Sequence, residues 1–388
     1  MKKVFFAALA ATTLFAACNK EDNGNGSVPD GEKAKVTVTV KASESRALGT
    51  APSGDNVVSS YLIYIFDAAG NQVGYHSSTG AGPQDVMTTT SAREIYVVAN
   101  APETFFPAAL TGYPTTATTK SALLAVTTDL DEATAANSQY TKRWATGSVN
   151  LNPSAFTHNG TTGEFEATAT VDMTFIAARI QVAIDITGLT SYTPAAGDGS
   201  LVLTGVSVLN ATGESKLFGS SLVSGSSYYA GRTMEFPSAS PWAGGEFMYT
   251  PTTYAAKTFL TNDITAGTPT AGGYHCYYYV FENEATEADE FPTIVTLEGT
   301  YDGAPIYFPV HLAQYEDFHA DSDDAMTASV LRGHSYNLTF RLTGDASVDD
   351  YPGETGGQDD PTVPNLRLKC TINLTIEDWI PIGLVKEF

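Results

Sequence analysis

Cations are scarce in this sequence: its 388 residues include 20 Lys and Arg against 43 Asp and Glu, a net charge of −23. A nucleic-acid surface needs clustered Lys and Arg to displace counterions from phosphates, so that class of partner is excluded. Charge of either sign is thin at 16% of residues, below the roughly 25% usual in soluble domains. With 43% apolar residues the chain can still bury a core, and disorder is excluded. Metal-ligand spacing is missing too. His76, His158, His275, His311, His319 and His334 form no HExxH, and no paired CxxC accompanies them, so neither a zinc site nor any other cofactor is expected. No stretch reaches the ~20 apolar residues that a spanning helix needs.

Strand-favouring Val, Ile, Thr, Tyr and Phe between Gly and Pro turns are abundant. At roughly 100–200 residues per domain, the length predicts two β-rich domains. Met1-Lys2-Lys3, the apolar run Val4 to Phe15 and the small residues Ala16-Ala17 before Cys18 read as a secretory signal. A cysteine at the cleavage point can carry a thioether-linked lipid, whose acyl chains hold a protein to a membrane at ~0.8 kcal/mol per buried CH₂. Residues 1–18 are therefore expected to be a lipoprotein signal with Cys18 as the lipidated residue. Phe15 stands where the usual lipobox has Leu. Lys20-Glu21-Asp22 resembles the export signal of Bacteroidetes surface lipoproteins, which implies the outer face of the outer membrane.

Beyond a Gly/Asn/Asp tether, Ala34, Val36, Val38, Val40 and Ala42 alternate with Lys35, Thr37, Thr39 and Lys41, the period-two mark of a strand with one buried face. Ser43 to Thr50 is a polar, small-residue loop carrying Arg46, followed by Ala47. Tyr61–Phe66 and Glu94–Asn100 read as buried strands, Ser121–Ala136 as a modest helix, and Phe175–Ile186 as a long strand closing the first half at Thr187-Gly188. Tyr274–Glu282 and Phe340–Gly344 echo Tyr61–Asp67 and Ile184–Gly188, hinting at two related β-sandwiches. Asp345–Pro364 is an acidic linker.

The end of the sequence carries the most pattern. On even positions stand Leu366, Leu368, Cys370, Ile372, Leu374, Ile376, Asp378, Ile380, Ile382, Leu384, Lys386 and Phe388, ten of the twelve apolar. Trp379 and Pro381 mark a bend between two strands. A one-faced apolar strand at each end of a chain suits strand addition, in which backbone hydrogen bonds supply affinity and alternate side chains fill pockets. Four or five such side chains would contribute roughly 6–15 kcal/mol as an upper bound.

In the order and spacing of Cys18, the Val36–Val40 strand, Arg46-Ala47, Tyr61–Asp67 with its Gly70-Asn71 turn, Ile95–Ala99, Ala178-Arg179-Ile180 and a last strand entering Trp379, the sequence resembles the fimbrillin family of Bacteroidales, the type V pilins. The resemblance implies an all-β fold of two tandem transthyretin-like, Greek-key β-sandwiches with short helical insertions. It implies a lipoprotein precursor, cut by an Arg-specific protease between Arg46 and Ala47. Carried onto this chain, residues 19–46 are tether and removable strand (Val36, Val38, Val40), 47–188 the first domain and 189–388 the second. The vacated groove takes the donor strand of an identical or related subunit, from within Leu366, Leu368, Ile372, Leu374, Ile376, Ile380, Ile382, Leu384 and Phe388. Such an open, head-to-tail contact grows a filament. Loss of residues 1–46 would leave 13 basic and 38 acidic residues. Arg93, the next arginine, adjoins a predicted strand and is expected to be shielded. A non-polymerising surface lipoprotein, or a tip or anchor component that binds glycan or host protein, is the alternative.

Other motifs carry less. Asp321 to Asp324 lacks the glycine and later Glu of a calcium loop. Carboxylate pairs such as Asp129 with Asp131 and Glu282 with Glu284 fit acidic loops, and no Ser, His and Asp set sits at a nucleophile elbow, so no catalytic residue is assigned and an enzyme is not expected. Cys276 and Cys370 fall on apolar strand faces, where they either pack as small hydrophobes or pair.

Overall fold

A computed structural model describes residues 31–41, 57–79, 82–111, 119–130, 144–186, 201–219, 228–229, 274–283, 291–301, 304–312, 330–345, 368–378 and 382–383. Its first half comprises β1 (Lys33–Lys41), β2 (Val57–Val58), β3 (Tyr61–Asp67), β4 (Gln72–Ser78), β5 (Gln84–Thr89), β6 (Ala92–Ala99), β7 (Thr127–Asp129), β8 (Ala145–Asn150), β9 (Thr157–His158), β10 (Phe165–Asp172) and β11 (Thr174–Phe175). The second half comprises β12 (Ala177–Asp185), β13 (Leu201–Leu209), β14 (Ala211–Thr212), β15 (Glu214–Lys216), β16 (Tyr228–Tyr229), β17 (Tyr274–Phe281), β18 (Ile294–Tyr301), β19 (Ala304–His311), β20 (His334–Asp345), β21 (Leu368–Asp378) and β22 (Ile382–Gly383). The fold is all-β with little helix.

Each half has two main sheets. In the first, β5-β1-β10-β9 faces β11-β8-β6-β3-β4; in the second, β17-β12-β20-β21 accompanies β13-β18-β19. Core positions follow strand alternation where one face meets water, as in β1, and run continuously where both faces are covered, as in Tyr61 to Phe66. The two sheets of the first half approach closely at Gly147, where a Cβ would stand 2.3 Å from the Asp172 carbonyl oxygen, so only glycine fits there.

Two expectations are corrected. The stretch 175–186 is not one strand closing the first half: Thr174–Phe175 pairs with β8, whereas Ala177–Asp185 pairs with β17 and β20 of the second half. Phe175 to Val182 is buried without alternation, so no local pattern marks where the chain changes sheets. The expected helix 121–136 is the five-residue α2 (Lys120–Leu124), which follows a four-residue α1 (Ala108–Thr111). Thr127–Asp129 leaves the helix to pair with β15; residues 131–136 lie outside the described residues. Thr119 caps α2, its hydroxyl accepting from the Ala122 amide at 3.3 Å.

The β7–β15 pair ties the halves together, and Arg332 secures it. Its guanidinium pairs with Glu282 at 3.1 Å and donates to the carbonyls of Lys216 at 3.2 Å and Leu217 at 3.1 Å. Thr146 of β8 donates to the same Leu217 carbonyl at 2.9 Å, so that oxygen receives one bond from each half.

Candidate functional site

The Val/Thr alternation of 33–41 makes β1, and its neighbours make it an inner strand. It runs parallel to β10 from Ala34↔Phe165 to Lys41↔Asp172 and antiparallel to β5 from Lys33↔Thr89 to Val38↔Gln84. Ala34, Val36 and Val38 are 0% exposed and Val40 5%, packed in one core with Val86 and Val171. Three valines fully buried contribute about 5–9 kcal/mol, an upper bound. No other strand of its sheet is reached through β1, because the chain leaves it for the 42–56 segment. Withdrawing β1 would part β5 from β10 and leave a slot with a ladder edge on each wall.

The outward face of β1 is polar and bonded to both walls. Lys35 Nζ lies 3.4 Å from Asp85 Oδ2 on β5 and 3.6 Å from Glu166 Oε1 on β10. Thr37 Oγ1 donates to Asp85 Oδ1 at 2.6 Å. That hydroxyl, then Lys35, holds the Asp85 carboxyl below the usual carboxylate range, and the Asp85 partnership raises Lys35. At the entry to β1 the Glu32 amide donates to Thr90 Oγ1 and the Thr90 amide to the Glu32 carbonyl.

A group with a depressed folded pKa stabilises at pH above its unfolded value and loses that contribution as pH falls through the folded one. Acidification from about pH 5 to about pH 3 should therefore weaken the seating of β1, by no more than about 1 kcal/mol because Asp85 is largely exposed. Urea midpoints measured across that range should fall more for the parent than for Asp85→Asn; parallel curves would remove Asp85 from the seating of β1.

Of the donor residues expected from the sequence, Leu368, Ile372, Leu374 and Ile376 lie in β21. This strand pairs antiparallel with β20 over eleven of its residues, with Ile372 opposite Phe340, Leu374 opposite Leu338 and Ile376 opposite Tyr336. Ile382 lies in β22, which pairs parallel with β2 in the first half. Cys18, Arg46, Ala47, Leu366, Ile380, Leu384 and Phe388 lie outside the described residues, as does Asp321 to Asp324. Arg93 is half-buried, its Nη1 donating to the carbonyls of Thr90 and Ala92 at 2.8 and 2.7 Å.

The open question of the two cysteines closes on topology. Cys276 in β17 and Cys370 in β21 occupy opposite edges of one four-stranded sheet. Three strand spacings alone put their backbones at least about 14 Å apart, twice the reach of a disulfide, so they do not pair within the chain. Among the described residues no group of three or more His, Cys, Asp and Glu is placed to hold a metal.

The sequence reading missed the walls of the slot. Phe165, Ala167, Ala169 and Val171 alternate with polar residues as plainly as β1 does, and that signal could have marked β10 as a strand with one buried face, though not as the partner of β1. The Lys35–Asp85–Glu166 bridge had no local signal, since it joins three strands distant in sequence.

Residues 34–177 match the family model described as Major fimbrial subunit protein (FimA). No curated protein matches the sequence. Among solved structures, a protein assigned to cell adhesion from Bacteroides eggerthii is 22% identical with a TM-score of 0.58, over 92% of this chain and 98% of its own. A fimbrilin from Porphyromonas gingivalis is 20% identical with a TM-score of 0.58, over 90% of this chain and 99% of its own. A third, from Parabacteroides distasonis and also assigned to cell adhesion, is 16% identical with a TM-score of 0.56, over 90% and 99%. These likenesses carry the fold along nearly the whole chain, and residues 34–177 are similar to the major fimbrial subunit (FimA) family.

Proposed function

We propose that this chain is the shaft subunit of a cell-surface fimbria, exported as a lipoprotein through Cys18 and assembled with identical or related subunits by strand exchange. An Arg-specific protease cuts between Arg46 and Ala47, β1 departs with the lipid, and the end of the next subunit enters between β5 and β10. The observation that carries the reading is the placement of β1: an inner strand, buried on Ala34, Val36, Val38 and Val40, whose one onward connection carries Arg46.

Between the two terminal strands, the reading favours residues past Trp379 as the donor. β21 already completes the edge of its own sheet, and pulling it out would forfeit its pairing with β20. Residues 382–383 give up only the short pairing with β2. Pro381 stands at the mouth of this segment, where a missing N–H is tolerated.

Purified chain beginning at Asn19, treated with a trace of Arg-specific protease, should yield filaments by electron microscopy after a single cut near Arg46, and Arg46→Gln should yield none. A clean cut without filaments at high concentration would sink strand exchange, and equal assembly by both chains would sink the cleavage step.

A further inference from the structure

The short β2–β22 pair joins the end of the sequence to the first sandwich beside the slot. Val57 pairs with Ile382 and Val58 with Gly383, both parallel, and β22 also lies beside β1. β2 is firmly seated. Val58 is 1% exposed, and the Ser59 amide and hydroxyl donate to Asn100 Oδ1 at 2.8 and 3.2 Å. Asn100 in turn donates its amide to the Ser60 carbonyl at 3.0 Å from a left-handed backbone, φ 63°, a conformation that Asn adopts more readily than most residues. These bonds anchor β2 to the junction of β3 and β6.

We propose that β1 and β2 together form a seat that holds residues 382–383 of the same chain and keeps its donor end from a second copy until β1 leaves. The inference rests on the strand-exchange reading above. Two paired residues bind weakly, yet an intramolecular contact acts at an effective concentration of order 1 mM, far above that of any second copy at micromolar protein. The uncut chain is then closed twice, its slot filled by β1 and its donor end held against β1 and β2. One cut opens both, because the strand that vacates the slot is also a wall of the seat. A subunit with an empty slot and a captive tail, or a free tail and a filled slot, is avoided.

Two substitutions loosen the seat from the β2 side without touching the donor. Val57→Pro removes a backbone N–H from β2 and fixes its φ. Asn100→Gly keeps the left-handed backbone and removes the side-chain bonds to Ser59. In a chain starting at Asn19, Ile382→Cys is labelled with a maleimide-linked polyethylene glycol at nanomolar protein, the parent supplying the background from Cys276 and Cys370. Labelling of the uncut chain should rise about fivefold with either substitution, the factor expected for one net backbone hydrogen bond. After cutting and loss of β1, the unsubstituted chain should label as fast as the loosened ones. Equal labelling in uncut, cut and loosened chains would overturn the seat. Electron microscopy at micromolar protein of matching unlabelled chains that keep Ile382, cut in the same way, separates the two ideas. Filaments without any change in labelling remove the seat alone, whereas labelling that responds without filaments removes strand exchange.

Discussion

Val38→Asp should cost the uncut chain about 3–5 kcal/mol, while Thr39→Asp beside it should cost less than about 1. Both substitutions place a carboxylate on β1 and change the net charge equally. They differ in which way the side chain points. Val38 is wholly buried between Gln84 of β5 and Ala169 of β10, so a carboxylate there has no water and no cation to meet it. Thr39 lies on the outward face, half-exposed, in the alternation that begins with Lys35. For a sandwich of this size the larger cost lowers the first melting transition by roughly 10 °C. Calorimetry on the two variants decides the matter: similar melting for both would mean that β1 is not a packed inner strand, and the slot would go with it.

The alternation of 33–41 was enough to find β1 and its buried face, because a strand with one face in water writes its geometry into every second residue. The terminal pattern likewise contains β21 and β22, while Trp379 and Pro381, where a bend is expected, lie outside the described residues. What a period-two pattern cannot name is the partner. β1 pairs in parallel with a strand more than a hundred residues away, and nothing between Lys41 and Phe165 announces it. At 175–182 burial on both faces erases the alternation, so the passage from one half to the other was read as one continuous strand. The even-phase apolar run at the end looked uniform, yet pairing divides it into a strand committed to β20 and a segment held by two residues at β2. Cys276 and Cys370 were likewise ambiguous in sequence, and only strand order places them on opposite edges.

Deletion of residues 380–388 should abolish filament formation by the cut chain while its melting temperature stays within about 2 °C of the parent, because among the described residues the folded monomer loses the short pairing at β2 and the contact beside β1. Deletion of residues 366–388 should behave differently even before any assembly is attempted. It removes β21, strips the edge from β20, and forfeits a ladder in which Ile372, Leu374 and Ile376 stand opposite the buried Phe340, Leu338 and Tyr336. At ~0.5–1.5 kcal/mol net per backbone hydrogen bond, an eleven-residue ladder is worth at least about 5 kcal/mol, so this longer deletion should destabilise the second half. The pair of deletions therefore separates two roles that one apolar run conceals. If the shorter deletion still gives filaments at the parent rate, β21 is the donor and must be leaving its own sheet to act as one. If the longer deletion melts like the parent, the β20–β21 ladder contributes little, and the argument for keeping β21 at home fails with it.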